Sequence, residues 1–190
     1  MDFKAMFSRA LRAARLDVTL FQEVENDITL NREALMVVVF ATILAGIGSL
    51  IGGLISGLGA AVLIVVWTVI WGIAGYYVWS YLTWFIGTRL FQGTAEPGEL
   101  LRTLGYASAP QALGIFGFIP CVGVFVGLLA SIWSLVAGVI AVREALNVDT
   151  GKAIITVVIG WVVVFLIGLV VAGILGAGAL GLGALSGSLQ

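Results

Sequence analysis

The chain has 190 residues, of which 61% are hydrophobic and 10% are charged, and its mean hydropathy is +1.17. Soluble domains are only about 45–50% apolar, so this composition predicts an integral membrane protein. With a net charge of −1, no histidine and one cysteine, the chain argues against nucleic-acid binding, disulfides, histidine-ligated metals or haem, and catalysis by an imidazole base. We expect no enzymatic activity, cofactor, metal or nucleic-acid partner.

Residues 1–33 form a polar segment, which we expect on the cytoplasmic side of the membrane. Within it, residues 2–16 place apolar side chains on one helical face and basic ones opposite, with a net charge of +3. Such an amphipathic helix is predicted to lie on an anionic leaflet, although it could instead pack on its own membrane domain. The residues expected to contact the lipid surface are Lys4, Arg9, Arg12 and Arg15.

The sign of the charge reverses in Asp17–Glu33, which carries a net charge of −4. Anionic lipid would repel this stretch, so we expect it to stand off the surface or to contact basic groups elsewhere in the chain. The basic groups considered are Arg89, Arg102 and Arg143. The alternative is that the acidic residues dock a partner, and the candidates for that role are Glu23, Glu25 and Asp27.

Five apolar runs follow and predict an all-α bundle of five membrane spans within residues 34–176. A helix needs about 20 residues to cross about 30 Å of hydrocarbon, and all runs but the third meet that length. The predicted spans are Leu35–Gly57, Ala60–Ile86, Leu104–Ile119, Val122–Val142 and Ala153–Leu175. Residues 177–190 are rich in glycine and uncharged, and we expect them to form a tail on the non-cytoplasmic side.

The distribution of basic residues favours a crossing by the short third run. With five spans and a cytoplasmic N-terminus, all nine lysines and arginines fall on the cytoplasmic side, as the positive-inside rule requires. Without the third crossing, Arg143 and Lys152 would lie on the opposite side. We therefore predict a multi-pass protein of the cell (inner) membrane whose C-terminus lies opposite its N-terminus.

Pro110 is predicted to bend the third span. Proline lacks an N–H and clashes with the carbonyl four residues back, here that of Tyr106. A carbonyl freed in hydrocarbon needs a new partner, and Ser108 is close in sequence. Together with Gly105, these residues form a candidate hinge or packing site. Two interpretations stay open: a kinked helix buried among the others, or a hinge that contacts lipid.

The predicted spans are uncharged and rich in small residues. None contains Asp, Glu, Lys, Arg or His, which argues against ion-coupled transport. Glycine, alanine and serine recur instead at intervals of four, a spacing that lets helix backbones approach closely. These residues serve either the packing of the bundle itself or contact with a partner or a second copy. The candidates in the fourth span are Gly123, Gly127, Ala130, Ser134 and Gly138.

The second span is aromatic, and its tryptophans Trp67 and Trp71 lie well inside the predicted helix. Lipid-facing or inter-helix packing explains such residues most simply. A groove for an acyl chain or a quinone-like ligand is the alternative interpretation.

Three stretches together resemble the prokaryotic branch of the Yip (Ypt-interacting protein) family, and the resemblance covers about residues 20–170. They are FQEVEND before the first span, GYASAP at the third, and IWSLVAGVIAVREALNVDTGKA from Ile132 to Ala153. The residues that match the family's Gly-Tyr motif are Gly105, Tyr106 and Pro110. Those that match its fourth span and the loop after it are Trp133, Thr150, Gly151 and Lys152.

The resemblance implies a five-span fold. Eukaryotic members bind lipidated small GTPases, act in vesicle traffic and influence membrane shape. Their Asp-Leu-x-Gly-Pro element does not occur here, where the corresponding residues read FATILAGIGSL, so small-GTPase binding is doubtful. For prokaryotic relatives, the resemblance implies a fold without an assigned reaction.

Two functions fit these observations. The first is a non-catalytic protein that scaffolds, assembles or organises a partner membrane complex or the lipid around it. The alternative is transfer or permeation of a lipid or small hydrophobic molecule through a groove near the third span. Scaffolding predicts a filled interior and an exposed face of small residues, with other membrane proteins or a second copy as partners. Transfer predicts a cavity lined by Ser108, Tyr106 and the aromatic span.

Overall fold

The computed structural model describes residues 2–54 and 57–187, with residues 175–187 described by their backbone alone. Within these ranges every regular element is helical. The α-helices are α1 (Phe3–Ala14), α2 (Val18–Asn26), α3 (Asn31–Gly53), α4 (Leu58–Phe91), α5 (Pro97–Ala107), α6 (Val122–Leu146) and α7 (Thr150–Gly187). A short 3-10 helix, Ile28–Leu30, precedes α3, and a longer one, Ala109–Phe118, follows α5 and is called the 3-10 segment.

Four helices in the described ranges are long and apolar enough to cross a membrane. They are α3 with the 3-10 turn before it, α4, α6, and α7 as far as Ile174. The all-α membrane bundle predicted from the sequence is therefore confirmed with four such helices. α7 continues to Gly187, through most of the glycine-rich residues 177–190, and the assignment of these residues to a non-cytoplasmic tail stays a prediction.

The region of the predicted third span contains two elements rather than one bent helix. α5 ends at Ala107, and Pro110 lies in the first turn of the 3-10 segment. Proline is tolerated there because the first residues of a helix need no intrahelical N–H bond. The Ser108 hydroxyl donates to the carbonyl of Gly105 at 2.6 Å. The expected kink within a helix is thus replaced by the end of one helix and the start of another.

α5 and the 3-10 segment together follow α3 along its length. Near the start of α3, a Cβ placed on Gly105 would lie 2.9 Å from the Cβ of Ala34. Near its end, a Cβ on Gly52 would lie 3.5 Å from the Cα of Phe118. These contacts are close because glycine at one of the two positions removes the side chain that would separate the backbones.

The charged residues gather at one end of the bundle, which we call the charged end. There the backbone N–H of Thr94, after α4, donates to the carbonyl of Leu146, the last residue of α6, at 3.1 Å. The side chain of Gln22 in α2 donates to Glu144 at 2.7 Å. The N-terminal helices therefore cover the end of the bundle at which α4 and α6 finish and α7 begins.

Candidate functional site

A polar cluster links α1, α2, α3 and α5 at the charged end. Arg9 donates to Glu33 at 2.8 Å and to Glu23 at 3.0 Å. The hydroxyl of Tyr106, a fully buried residue, donates to the same oxygen of Glu33. Glu33 is only 6% exposed, and a buried carboxylate is tolerated only when it is paired and hydrogen-bonded. Arg9 and Tyr106 supply those partners.

Arg102 of α5 adds further hydrogen bonds to this polar cluster, to residues 24–31 from the end of α2 to the start of α3. It is 5% exposed, and its guanidinium donates to the carbonyls of Val24 and Glu25 and to the side chain of Asn31. The two distances to Val24 and Asn31 are both 3.0 Å. Arginine suits this position because its planar group offers several donors in fixed directions. The end of α2 and the start of α3 are thereby held against α5.

Two arginines on the basic face of α1, Arg9 and Arg12, pair with carboxylates of this chain. Arg12 donates to Asp17 at 2.8 Å and to Glu23 at 2.9 Å. The hydrogen bond from Arg12, followed by one from Thr19, lowers the pKa of Asp17 to about 2. Arg9 and Arg12, two of the four residues expected to contact the lipid surface, are thus engaged by carboxylates of this chain, and lipid contact by the set stays a prediction. Lys4 and Arg15 are exposed.

The apolar face of α1 is the one left open. Phe3, Phe7 and Leu11 are 57%, 70% and 43% exposed. A groove of about 370 Å³ runs between this face, α3 and the 3-10 segment. The C-terminal end of α1 is held by the indole of Trp133, which donates to the carbonyl of Ala14 at 2.7 Å. An apolar face beside membrane-spanning helices is the arrangement of an interfacial helix that inserts into lipid.

The acidic residues considered for a partner have different surroundings. Glu23 accepts hydrogen bonds from Arg9 and Arg12, and not from the arginines considered from the sequence. Asp27 accepts a hydrogen bond from the backbone N–H of Thr29 at 2.9 Å and so caps the short 3-10 helix. Glu25 is half-buried, and burial, followed by repulsion from neighbouring carboxylates, raises its pKa. Of the three, only Glu25 has a carboxylate without a basic or capping partner among the described residues.

The small residues of α6 mainly serve the packing of this chain. Four of the five named from the sequence are buried: Gly123, Ala130, Ser134 and Gly138. A Cβ on Gly138 would lie 2.9 Å from the ring of Trp79, so the tryptophan of α4 occupies the space that glycine leaves. Gly127 is exposed, and a Cβ there would contact nothing within 4 Å. Of these residues only Gly127 is on an outer face.

A pair of adjoining clefts opens between the helices of the bundle, with exposed residues such as Val124 and Leu128 at the rim, and we call them together the central cavity. One, of about 310 Å³, lies between α3, α4 and the 3-10 segment; the other, of about 590 Å³, extends to α6 and α7. Both are lined by Trp71, Gly72, Trp79 and Gln111. Thr42 and Ser134, which also contribute to the lining, are the middle residues of α3 and α6. The central cavity is therefore at half-height.

The lining combines aromatic faces with uncharged polar groups. Trp67 and Trp71 are stacked on one side with ring centroids 5.5 Å apart, and Trp161 and Phe165 on the other at 5.4 Å. Ser108 also contributes to the lining, as expected from the sequence. Tyr106 does not, because its hydroxyl is directed to Glu33 instead. The predicted hinge residues thus separate into two environments.

Several polar groups beside the central cavity lack partners among the described residues. They include the indole N–H of Trp79 and the hydroxyl of Ser134, both buried. Gln111 is exposed, and its carboxamide likewise has no hydrogen-bond partner among the described residues. Buried polar groups without a partner are costly, so Trp79 and Ser134, the two buried ones, mark the lining as a place where a further hydrogen-bond partner would be stabilising.

Sequence reasoning missed Gln111 and Glu33 as site residues, whereas Arg102 was named as a possible contact of the acidic stretch and does donate to Val24, Glu25 and Asn31 within it. Gln111 follows Pro110 in an apolar run, and a neutral amide stands out there only when the helices around it are known. Glu33 was counted only as part of the acidic stretch, and its burial follows from a long-range contact with Tyr106. Among the described residues, no group of His, Cys, Asp or Glu is placed to hold a metal ion.

These observations define a class: an all-helical, multi-pass membrane protein with a charged polar cluster at one end and an uncharged cavity at half-height. A family model for the Yip1 domain matches residues 19–172, so the chain belongs to the Yip1 domain family. The resemblance to the Yip family read from the sequence is confirmed, and assignment to its prokaryotic branch stays a prediction. No curated protein and no solved structure was found to match the chain.

Proposed function

We propose that the protein is a non-catalytic membrane protein that binds a small hydrophobic or amphiphilic molecule in the central cavity and holds or transfers it within the bilayer. The observation that carries this proposal is the cavity itself, whose two parts measure about 310 and 590 Å³ and contain unpaired polar groups. Ligand sites are typically concave and mostly apolar, with a few polar groups that orient the ligand. The central cavity has these properties.

The proposal includes five membrane crossings. α5 and the 3-10 segment run beside α3 from Ala34 to Gly52. At about 1.5 Å per residue for α5 and about 2.0 Å for the 3-10 segment, the two reach roughly 36 Å when aligned. That length is enough for about 30 Å of hydrocarbon. The larger rise of the 3-10 segment supplies the reach that a 16-residue α-helix would lack.

We place the charged end in the cytoplasm of a cell whose inner membrane holds the bundle. This orientation follows from the positive-inside rule, since the basic residues belong to the segments that meet at the charged end. The C-terminus then lies on the opposite side.

A second role, organising the lipid around the protein, is favoured by α1. Its apolar face is exposed while its arginines are engaged internally. Such a helix enters the acyl layer of one leaflet by its apolar area. Assembly of a partner complex, with small residues as the contact surface, has weaker support because most of those residues are buried in this chain. Membrane lipids are therefore the partners we propose.

The test is native mass spectrometry of the full chain released from lipid nanodiscs. We expect a bound hydrophobic molecule in near-stoichiometric amount. The variant Ser131→Phe places a ring in the larger part of the central cavity and should reduce the bound fraction at least fivefold. Its matched control is Ile132→Phe, because Ile132 is 50% exposed on the outer side of the same helix.

Two results would contradict the proposal. One is a protein released without any bound molecule. The other is equal loss of the bound molecule in both variants, which would point to lipid held on the outer surface. A stoichiometric protein partner without a bound small molecule would instead restore scaffolding as the leading function.

A further inference from the structure

Gln111 is a neutral polar residue in the otherwise apolar 3-10 segment. It lies in the 3-10 segment between Pro110 and the apolar residues that lead to Phe118, and it lines both parts of the central cavity. Its backbone N–H is satisfied by the carbonyl of Ser108 at 2.9 Å. Its carboxamide, which offers two donors and one acceptor oxygen, has no partner among the described residues.

The carboxamide of Gln111 lies at the depth of the central cavity, and this depth restricts the kind of ligand that can form a hydrogen bond with it. The cavity lies at half-height, between the middle residues of α3 and α6, Thr42 and Ser134. The charged head groups of phospholipids occupy the bilayer surface, and moving one to this depth is unfavourable. Among the residues that the structure describes, no acidic or basic side chain lines the central cavity to compensate such a charge. The fitting ligand is therefore electrically neutral.

The walls further restrict its shape. Two stacked aromatic pairs border the cavity, Trp67 with Trp71 and Trp161 with Phe165. Flat aromatic surfaces favour a planar ring, which stacks on them in an offset arrangement. The hydrogen-bond donors beside those walls, the Gln111 amide and the Ser134 hydroxyl, suit carbonyl oxygens on that ring.

Resting on the proposed function and naming its ligand class, we propose that the central cavity binds a neutral lipid with a planar, carbonyl-bearing head group of the quinone type. The ring stacks against the aromatic pairs, and the carboxamide of Gln111 donates to one carbonyl oxygen. The apolar tail leaves between the helices into the acyl layer.

The experiment is a binding titration with decyl-ubiquinone, on the full chain in nanodiscs of one defined phospholipid. Four of the six tryptophans, Trp67, Trp71, Trp79 and Trp161, line the central cavity. We therefore expect saturable quenching of the larger part of the tryptophan emission. Dioleoylglycerol, which is neutral but has no planar head group, should compete at least tenfold more weakly.

The variant Gln111→Leu keeps the side-chain volume similar and removes the amide. Loss of one neutral hydrogen bond is expected to weaken binding about five- to tenfold. The matched control is Gln22→Leu, which removes an amide at the charged end and should bind the quinone as the parent does. Thermal unfolding of both variants checks that they are folded.

Absence of saturable quenching overturns the inference, as does equal affinity of Gln111→Leu and the parent, or equal competition by dioleoylglycerol. If mass spectrometry shows a glycerolipid that Ser131→Phe loses while the quinone does not bind, the proposed function stands and the ligand class is wrong. If neither experiment finds a bound molecule, both are wrong.

Discussion

The polar cluster at the charged end and the central cavity place polar groups in low-dielectric surroundings in opposite ways. In the polar cluster, the carboxylate of Glu33 and the guanidinium of Arg102 are each met by partners from other elements. In the central cavity, Ser134 and Gln111 have none among the described residues. A hydrogen-bond network in which every group has a partner favours one arrangement of helices. Polar groups without a partner in the chain can instead form hydrogen bonds to a ligand or to water. The first region joins the N-terminal helices to the bundle, and the second is the region to which we assign ligand binding in our proposal.

The largest effect should follow from breaking the polar cluster at its charge pair. Arg9→Ala leaves Glu33 buried with only Tyr106 as a partner, and we expect a loss of about 2–4 kcal/mol, since an uncompensated buried charge costs about 3–5 kcal/mol and Arg9 itself is partly exposed. Thermal unfolding in mild detergent measures it. Arg15→Ala, at an exposed arginine on the same N-terminal segment, is the control. Equal shifts in the two variants would mean that the pair is not structural.

A smaller effect should follow from removing one hydroxyl from the same cluster. Tyr106→Phe keeps the ring packed but deletes the hydrogen bond to Glu33. Hydrogen bonds to charged groups contribute about 1.5–3 kcal/mol, so we expect destabilisation near the lower value. Tyr77→Phe, at an exposed tyrosine of α4, should change the unfolding temperature little. A stable Tyr106→Phe protein would show that Arg9 alone satisfies the carboxylate.

One helical turn beyond Trp79 in α4, removing the unpaired hydroxyl of Thr83 should cost little stability or even add to it. Thr83 is fully buried, and its hydroxyl has no partner among the described residues, whereas that of Thr156, equally buried, donates to the carbonyl of Lys152 at 2.8 Å. Thr83→Val should change the unfolding free energy by less than about 0.5 kcal/mol, and Thr156→Val should reduce it by about 1 kcal/mol. The reverse order in thermal unfolding would mean that the Thr83 hydroxyl has a partner in the folded protein.

The smallest expected effect is a loss of stability of α1 at low pH. Hydrogen bonds from Arg12 lower the pKa of Asp17 to about 2, and that of Glu23 also lies below its usual range. Because the pKa of each carboxyl group is lower in the folded state, its contribution to the stability of α1 is present above the usual pKa values of 3.8 and 4.5. That contribution is lost as the pH falls toward about 2. Amide hydrogen exchange of α1, corrected for its intrinsic pH dependence, should therefore rise over that interval. In the double variant Asp17→Asn, Glu23→Gln, the rise should be absent.

The sequence predicted the fold class well, because long apolar runs have few other interpretations. It could not predict how the region around Pro110 is divided, since proline is compatible both with a kinked helix and with the start of a new one. That choice depends on close contacts with α3, such as that of Gly105 with Ala34.

The site was harder to predict than the fold. Burial of Glu33 depends on Tyr106, which is distant in sequence, and the charge pattern alone made Arg9 and Arg12 candidates for lipid contact. Nothing in that pattern indicates that carboxylates of α2 and α3 lie opposite them. Small residues likewise have the same spacing whether they face a partner or, as Gly138 does, a tryptophan of the same chain.

The lining of the central cavity has one consequence for energetics in the living membrane. Within the described part of the chain it contains no acidic or basic side chain, and a neutral ligand adds no charge. A membrane potential does work only on charge that moves across it, at about 2.3 kcal/mol per elementary charge per 100 mV. Passage of the proposed ligand across the membrane is therefore independent of the membrane potential. The direction of its net movement is set by its own concentrations in the two leaflets.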